Sequence, residues 1–343
     1  MNILAIGAGG FIGRHVVAQL LEAGHRVTVF QRGHYPPPEG AREIRGERDE
    51  LPQHRRIFAA LAPDAVLDVI PYTEAHAQAL VESFAGLCPR LVALSSADVY
   101  RNYDGLRGYS RHAPDPPPLD EDAPLRERWY PYRGLPGPAL PWRDDYEKIL
   151  VERCLRQAQA PQATVLRLPL VYGPGDRQRR LAPWIVRMLE GRPFLLLGER
   201  QARWRWTMGY VENVAAAIAL AVTDPRAAGR TYNLGEAQTP TEAERLRRFG
   251  AALGWRGELH VLPETRLPPH LRLPLNFEHS LWTDSGRFRS ELDFRDPVAE
   301  DETLRRTLDW ERAHPLSIAP QEYAAEEAAA RTSSVVPLVD DVV

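Results

Sequence analysis

Three glycines, Gly7, Gly10 and Gly13, lie between an apolar run, Ile3-Leu4-Ala5-Ile6, and apolar residues at helical spacing, Val16, Val17, Leu20 and Leu21. Strand, glycine turn and helix in that order suit a pyrophosphate, which needs free backbone N–H groups at a helix N-terminus and no Cβ in its way. The spacing is GxxGxxG, with Phe11 and Ile12 inside it and Ile12 where the common dinucleotide fingerprint has its third glycine. After the next apolar strand, Val27 to Phe30, a carboxylate would bond an adenosine ribose 2′-hydroxyl, whereas an arginine favours a 2′-phosphate. Gln31 and Arg32 stand there, so NADP(H) is the expected cofactor and NAD(H) the alternative.

Lysine plus arginine total 43, and Lys148 is the lone lysine, which leaves 42 arginines. On a solvated surface the two cations exchange freely, so the one retained lysine marks a place where a compact ammonium or a tunable pKa matters. Net charge is −3, which gives no global basic field for a polyanion and disfavours nucleic acid as a partner. The densest cationic cluster is Arg177, Arg179 and Arg180, with Arg203 and Arg205 as further candidates. Cys88 and Cys154 are too few for a disulfide framework and have no metal spacing, so two buried thiols and no metal site are expected.

The elements that position these residues follow from the pattern. Further strands are expected at Val66 to Ile70, Leu91 to Leu94 and Thr164 to Leu168, with helices such as Ala75 to Phe84 between them. Alternating strands and helices imply an α/β fold, a Rossmann-type doubly wound parallel sheet, here with a smaller C-terminal substrate domain. The dinucleotide-binding domain is expected over residues 1–172, with 207–235 returning to it. The substrate domain then takes 173–206 and 236–325, and a tail takes 326–343. Nine prolines between Pro114 and Pro141 exclude regular structure there, and the aromatic residues among them, Trp129, Tyr130, Tyr132 and Trp142, suit a lid. No signal segment and no apolar run of 18 residues is present, so a cytoplasmic protein without membrane contact is expected.

Six features in order resemble the extended short-chain dehydrogenases/reductases, the NAD(P)-dependent epimerase/dehydratase group. They are Gly7-x-x-Gly10-x-x-Gly13, Leu94-Ser95-Ser96-Ala97-Asp98-Val99-Tyr100, Lys148 with Glu152, Arg167-Leu168-Pro169 leading to Val171-Tyr172-Gly173-Pro174-Gly175, Tyr210-Val211-Glu212-Asn213-Val214, and Tyr232-Asn233-Leu234-Gly235. The resemblance spans about residues 1 to 310. It implies that Ser96 hydrogen-bonds a substrate oxygen and that Asp98 lies where 4,6-dehydratases carry an acid. It further implies that Lys148 holds the nicotinamide ribose and lowers the pKa of a catalytic tyrosine. Glu47 and Arg48 would lie at the adenine, Ile70, Pro71 and Pro169 along the cofactor, and Tyr100, Tyr172, Arg203 and Arg205 on the substrate side. A homodimer is expected by analogy alone.

One position departs from the family. The base is a tyrosine four residues before the lysine, and here that position is Asp144. Tyr146 is two residues before Lys148, about 200° around a continuous helix. Four readings stay open: a helix that starts late, capped by Asp144 or Asp145, frees Tyr146; Tyr130 or Tyr132 enters from the lid; Asp144 or Asp98 transfers the proton; or the chemistry is lost. The implied function is an NAD(P)-dependent oxidoreductase, epimerase or dehydratase acting on a small hydroxyl- or carbonyl-bearing substrate, such as a nucleotide sugar or natural-product intermediate. The alternative is a catalytically altered nucleotide-binding regulatory or RNA-associated protein on the same fold.

Overall fold

The computed structural model describes residues 1–137, 139–158 and 162–331. The first half runs β1 (Asn2–Ile6), α1 (Phe11–Glu22), β2 (Arg26–Gln31), β3 (Arg42–Arg45), α2 (Arg55–Leu61), β4 (Ala65–Asp68), α3 (Glu74–Phe84), β5 (Arg90–Ser96) and α4 (Arg101–Leu106). After a long loop come α5 (Lys148–Gln157), β6 (Gln162–Leu168), β7 (Leu170–Tyr172), α6 (Ala182–Leu189), β8 (Phe194–Gly198) and α7 (Glu199–Arg203). The chain continues with β9 (Met208–Tyr210), α8 (Val211–Thr223), β10 (Thr231–Asn233), α9 (Glu242–Leu253) and β11 (Glu258–Leu262). It closes with α10 (Gly286–Glu291), α11 (Glu300–Ala313) and α12 (Pro320–Arg331).

Among the described residues, seven strands form one sheet in the order β10-β6-β5-β4-β1-β2-β3, every pair parallel. Alternation along each strand divides the core. Ile3, Ala5, Val27 and Val29 face α1 and α8, while Leu4, Ile6, Phe30 and Val66 face α2, α3 and α5. Both faces are covered, as the expected doubly wound fold requires. The register places Gly7, Gln31, Asp68 and Ser96 along one carboxyl edge of neighbouring strands, where such sheets bind ligands. A second core gathers Ile185, Leu195, Leu197, Leu246, Phe249 and Leu308 around β8, α6, α9 and α11.

Gly13 lets the first turn of α1 lie close on the glycine turn that precedes it. A Cβ there would stand 2.4 Å from Ala8 Cα and 2.6 Å from its carbonyl oxygen, backbone atoms that cannot step aside alone. Gly13→Ala is therefore expected to lower stability by about 1–3 kcal/mol, as overpacking does, and urea unfolding would measure it.

The proline-rich segment contains no helix or strand among its described residues, yet it is tied down. Leu119 packs with Ala97, Val99, Tyr100 and Ile149. Glu121 accepts the Asn233 N–H at 2.8 Å and offers its carbonyl to Arg167 at 2.9 Å. Arg126 forms a two-pronged bond to Glu147 at 2.7 and 2.9 Å, both side chains all but excluded from solvent.

Two expectations need correction. Cys154 is only half-buried, although Cys88 is buried, its thiol pKa pushed up by desolvation to about 11. Of the tail expected from residue 326, the part through Arg331 completes α12, and Glu326 is buried against Arg187 at 3.1 Å; residues 332–343 lie outside the described residues. No helix among the described residues is long and apolar enough to cross a membrane.

Candidate active site

A cavity of about 800 Å³ opens along the carboxyl edge of the sheet. Its floor is Gly7, Gly9, Gly10 and Ile70, and one wall holds Gln31, Arg32, Glu47 and Arg48. Gly7 has a φ of +70°, and a Cβ there would meet Ile70 at 2.5 Å. Gly10 caps α1 with no side-chain bond, and a Cβ on it would meet nothing within 4 Å, so it would project into the open cradle. The first N–H groups of α1, at Phe11 and Ile12, therefore remain available to an anion. Gly13 serves helix packing instead of the cavity lining.

Gln31 is buried and donates to the Tyr35 carbonyl and to Glu43, each at 2.8 Å, so its amide is spent on the turn. Arg32 is exposed on the same wall. Arg48 is buried, bonded at 2.5 Å to the fully buried Asp68 and at 2.8 Å to the His76 carbonyl, while its Nε and Nη1 have no partner. Two buried, unmatched donors on the wall of a cavity, beside an uncapped glycine cradle, fit a dinucleotide rich in acceptors. Glu47 is exposed on the rim.

The residues expected to do chemistry lie behind Tyr72 of the cavity wall, in contact with that ring and not in the cavity lining. Helix α5 begins at Lys148, and Glu147 is its N-cap, its carboxylate accepting the Ile149 N–H at 2.9 Å. The late start is realised with Glu147 as the cap in place of Asp144 or Asp145. Tyr146 thus precedes the helix, and its hydroxyl donates to Asp98 Oδ2 at 2.8 Å. Ser96, at the end of β5, accepts the Asp98 N–H at 3.2 Å and so stands beside the carboxylate that Tyr146 bonds.

Lys148 is buried, and its Nζ donates to the carbonyls of Pro71 at 2.9 Å and Leu94 at 2.8 Å. Burial pushes its pKa down to about 8, against the pull of Asp98, Asp68 and Glu152. The ammonium lies 5.1 Å from the Tyr72 ring centre and 5.7 Å from that of Tyr146. Trp142, from the proline-rich loop, stacks on Tyr72 with centroids 4.1 Å apart and roofs the cavity. Of the two loop tyrosines, Tyr132 reaches the site and donates to Asp98 Oδ2 at 3.0 Å, whereas Tyr130 lines the outer cavity beneath Arg133.

Several expected residues lie elsewhere. Asp144 is exposed and accepts the Gly134 N–H at 3.3 Å, which places it in a loop brace away from Lys148. Tyr100 is fully buried, donating to Asn233 at 2.7 Å and accepting from Arg167 at 2.9 Å, so it is a core residue. Tyr172 lines a separate cavity of about 400 Å³ and reaches Thr303 at 3.4 Å. Pro169 packs 3.1 Å from the Cβ position of Gly209 and does not line the large cavity. Arg205 holds the Thr239 carbonyl and lies 5.1 Å from the Trp282 ring centre, and Arg203 is exposed at the end of α7. Glu152 bonds Arg167 at 2.8 and 3.0 Å and Ser95 at 2.6 Å, a core network separate from Lys148.

The arginine cluster also disperses. Arg179 pairs with Glu311, and Arg177 sits 5.0 Å from the Tyr35 ring centre on the cavity rim, so the two do not share one anion-binding surface. Sequence reasoning missed Tyr103, Arg126, Glu147, Asp68 and His76. Only Glu147 carried a local signal, as a carboxylate at the start of an amphipathic stretch.

A model of the NAD dependent epimerase/dehydratase family matches residues 3–117 and 140–235. The chain belongs to that family. Within it, the chain is 30% identical over 263 residues to 2′-dehydrokanamycin reductase of Streptomyces kanamyceticus, covering 74% of this chain and 67% of the relative. It is 27% identical over 279 residues to 2-alkyl-3-oxoalkanoate reductase of Stenotrophomonas maltophilia (strain K279a), covering 74% and 76%. The solved dTDP-glucose 4,6-dehydratase of Bacillus anthracis in complex with NAD shares the fold, with a TM-score of 0.62, 18% identity, and 91% and 97% coverage.

Proposed function

We propose that this epimerase/dehydratase family member is an NAD(P)-dependent oxidoreductase acting on a small carbonyl- or hydroxyl-bearing substrate of the sugar or natural-product type, with NADP(H) preferred. The observation that carries the reading is the convergence of Ser96, Tyr146, Asp98 and Lys148 directly behind Tyr72, a wall residue of the glycine-floored cavity. Two curated relatives named as reductases support it.

In this reading Gly7, Gly10 and the start of α1 hold the pyrophosphate, and Arg32 faces the 2′-phosphate. A bound nicotinamide supplies the hydride. Lys148 holds the ribose hydroxyls, Ser96 fixes the substrate oxygen and Tyr146 exchanges a proton with it. Residues 1–172 with 207–235 would form the dinucleotide unit, and the second core around β8 and α9 would close over the substrate.

The test is calorimetric titration of NADPH and NADH into wild type, Lys148→Met and Arg32→Ala. NADPH should bind wild type more tightly than NADH, Arg32→Ala should narrow that difference, and Lys148→Met should weaken both by about tenfold, or 1.4 kcal/mol. With the Lys148 pKa near 8, affinity falls as pH rises through about 8, because the ammonium loses the proton it donates, and Lys148→Met abolishes that dependence. Binding of neither cofactor to wild type would sink the reading.

A further inference from the structure

The carboxylate oxygen Oδ2 of Asp98 accepts two phenols, Tyr146 at 2.8 Å and Tyr132 at 3.0 Å. Tyr132 in turn accepts from Tyr103 at 3.0 Å. Each bond requires the phenol to keep its proton. The other carboxylate oxygen, Oδ1, is buried with no partner, so no further donor disperses the charge of Asp98.

Resting on the oxidoreductase reading, we infer that Asp98 and Tyr132 are positioning residues that hold Tyr146 as a proton donor, so that this site reduces a carbonyl in preference to oxidising an alcohol. Alcohol oxidation needs a base, and a Tyr146 phenolate would stand 2.8 Å from a carboxylate in a water-poor site. The groups facing Tyr146 are Asp98, Ser96, Arg126, Tyr132, Tyr72 and Lys148. The cations among them give the phenolate limited help. Lys148 has donated to two carbonyls, and Arg126 is spent on Glu147 and on the Asp98 and Arg128 carbonyls. The net direction agrees, since desolvation and then Asp98 push the Tyr146 pKa well above the ordinary phenol value.

In the favoured direction the Tyr146 hydroxyl turns its proton from Asp98 Oδ2 to the substrate oxygen, the carbonyl carbon gains the hydride, the carbonyl π electrons move onto oxygen, and the Tyr146 O–H bond breaks to protonate that oxygen. The phenolate left beside Asp98 is high in energy and regains a proton from solvent. The path open to it is the bonded chain through Asp98 Oδ2 to the half-buried Tyr132. Because Tyr132 belongs to the proline-rich loop, the donor is complete only when that loop is seated.

The experiment is NMR of protein labelled with tyrosine carrying 13C at Cζ, titrated from pH 6 to 11, with Tyr146 assigned by Tyr146→Phe. In wild type the Tyr146 signal should stay at its protonated position past pH 10. In Asp98→Asn, which keeps the shape and removes the charge, its midpoint should fall by at least one pH unit, a tenfold change in ionisation. In Tyr132→Phe the Tyr146 signal should shift at neutral pH, since one of the two donors on Oδ2 is gone, and this variant serves if Asp98→Asn does not fold. A wild-type Tyr146 that ionises at or below the ordinary phenol value would overturn the inference, as would one indifferent to both variants. NADPH and NADH added to the same samples test the cofactor reading separately. If neither moves any tyrosine signal or binds, that reading fails whatever the ionisation of Tyr146.

Discussion

Tyr146→Phe is expected to lower kcat for carbonyl reduction by about 10²–10⁴-fold, the usual worth of a positioned general acid. The ring is retained, so its contacts with Tyr132 at 5.0 Å and Trp142 at 6.1 Å between centroids persist, and NADPH affinity should hold. Loss of rate without loss of cofactor binding separates a proton donor from a packing residue. Steady-state kinetics on the carbonyl that wild type reduces fastest, paired with calorimetry, makes the comparison. A wild-type rate would mean that the proton comes from Tyr132 or another group.

Arg126→Met should cost about 3–5 kcal/mol, the usual result of stranding one half of a buried ion pair. Glu147 would keep the Ile149 and Tyr130 N–H bonds but lose both guanidinium bonds, at 2.7 and 2.9 Å. The same guanidinium holds the Asp98 carbonyl at 2.8 Å and the Arg128 carbonyl at 2.5 Å, so the tether between the loop and the carboxyl end of β5 goes with it. Urea unfolding would give the stability change. The double variant Arg126→Met/Glu147→Gln should recover part of it, because no carboxylate is then left uncompensated. An Arg126→Met midpoint equal to wild type would refute the assignment of this pair as the loop's anchor.

The sheet was readable from the sequence because its causes are local: β-period apolar runs, a glycine turn and helical spacing behind it. The start of α5 was not. Asp144, Asp145 and Glu147 are all carboxylates that could cap a helix, and the choice falls on Glu147 because Arg126, 21 residues upstream, reaches back to it. That choice decides the site, since it releases Tyr146 from the helix and turns it toward Ser96 and Asp98. Tyr100 failed for the opposite reason. Its neighbour Asp98 bonds Tyr146 and Tyr132, but its own hydroxyl is claimed by Asn233 and Arg167, residues from β10 and β6 that adjacency in sequence does not predict. Arg205 was likewise legible as a cation, while its commitment to the Thr239 carbonyl depends on how the segment before α9 returns.

A chain of 343 residues with a single ε-amine offers an unusual chemical handle. Lys148 is 4% exposed and lies under Tyr72, so formaldehyde and borohydride can methylate it only while the Tyr72 cover breathes open. The mark, mapped to its peptide by mass spectrometry, then becomes a clock for that breathing. Any compound that settles over Tyr72 and Trp142 would slow the clock, which allows ligands to be screened before a single turnover has been observed.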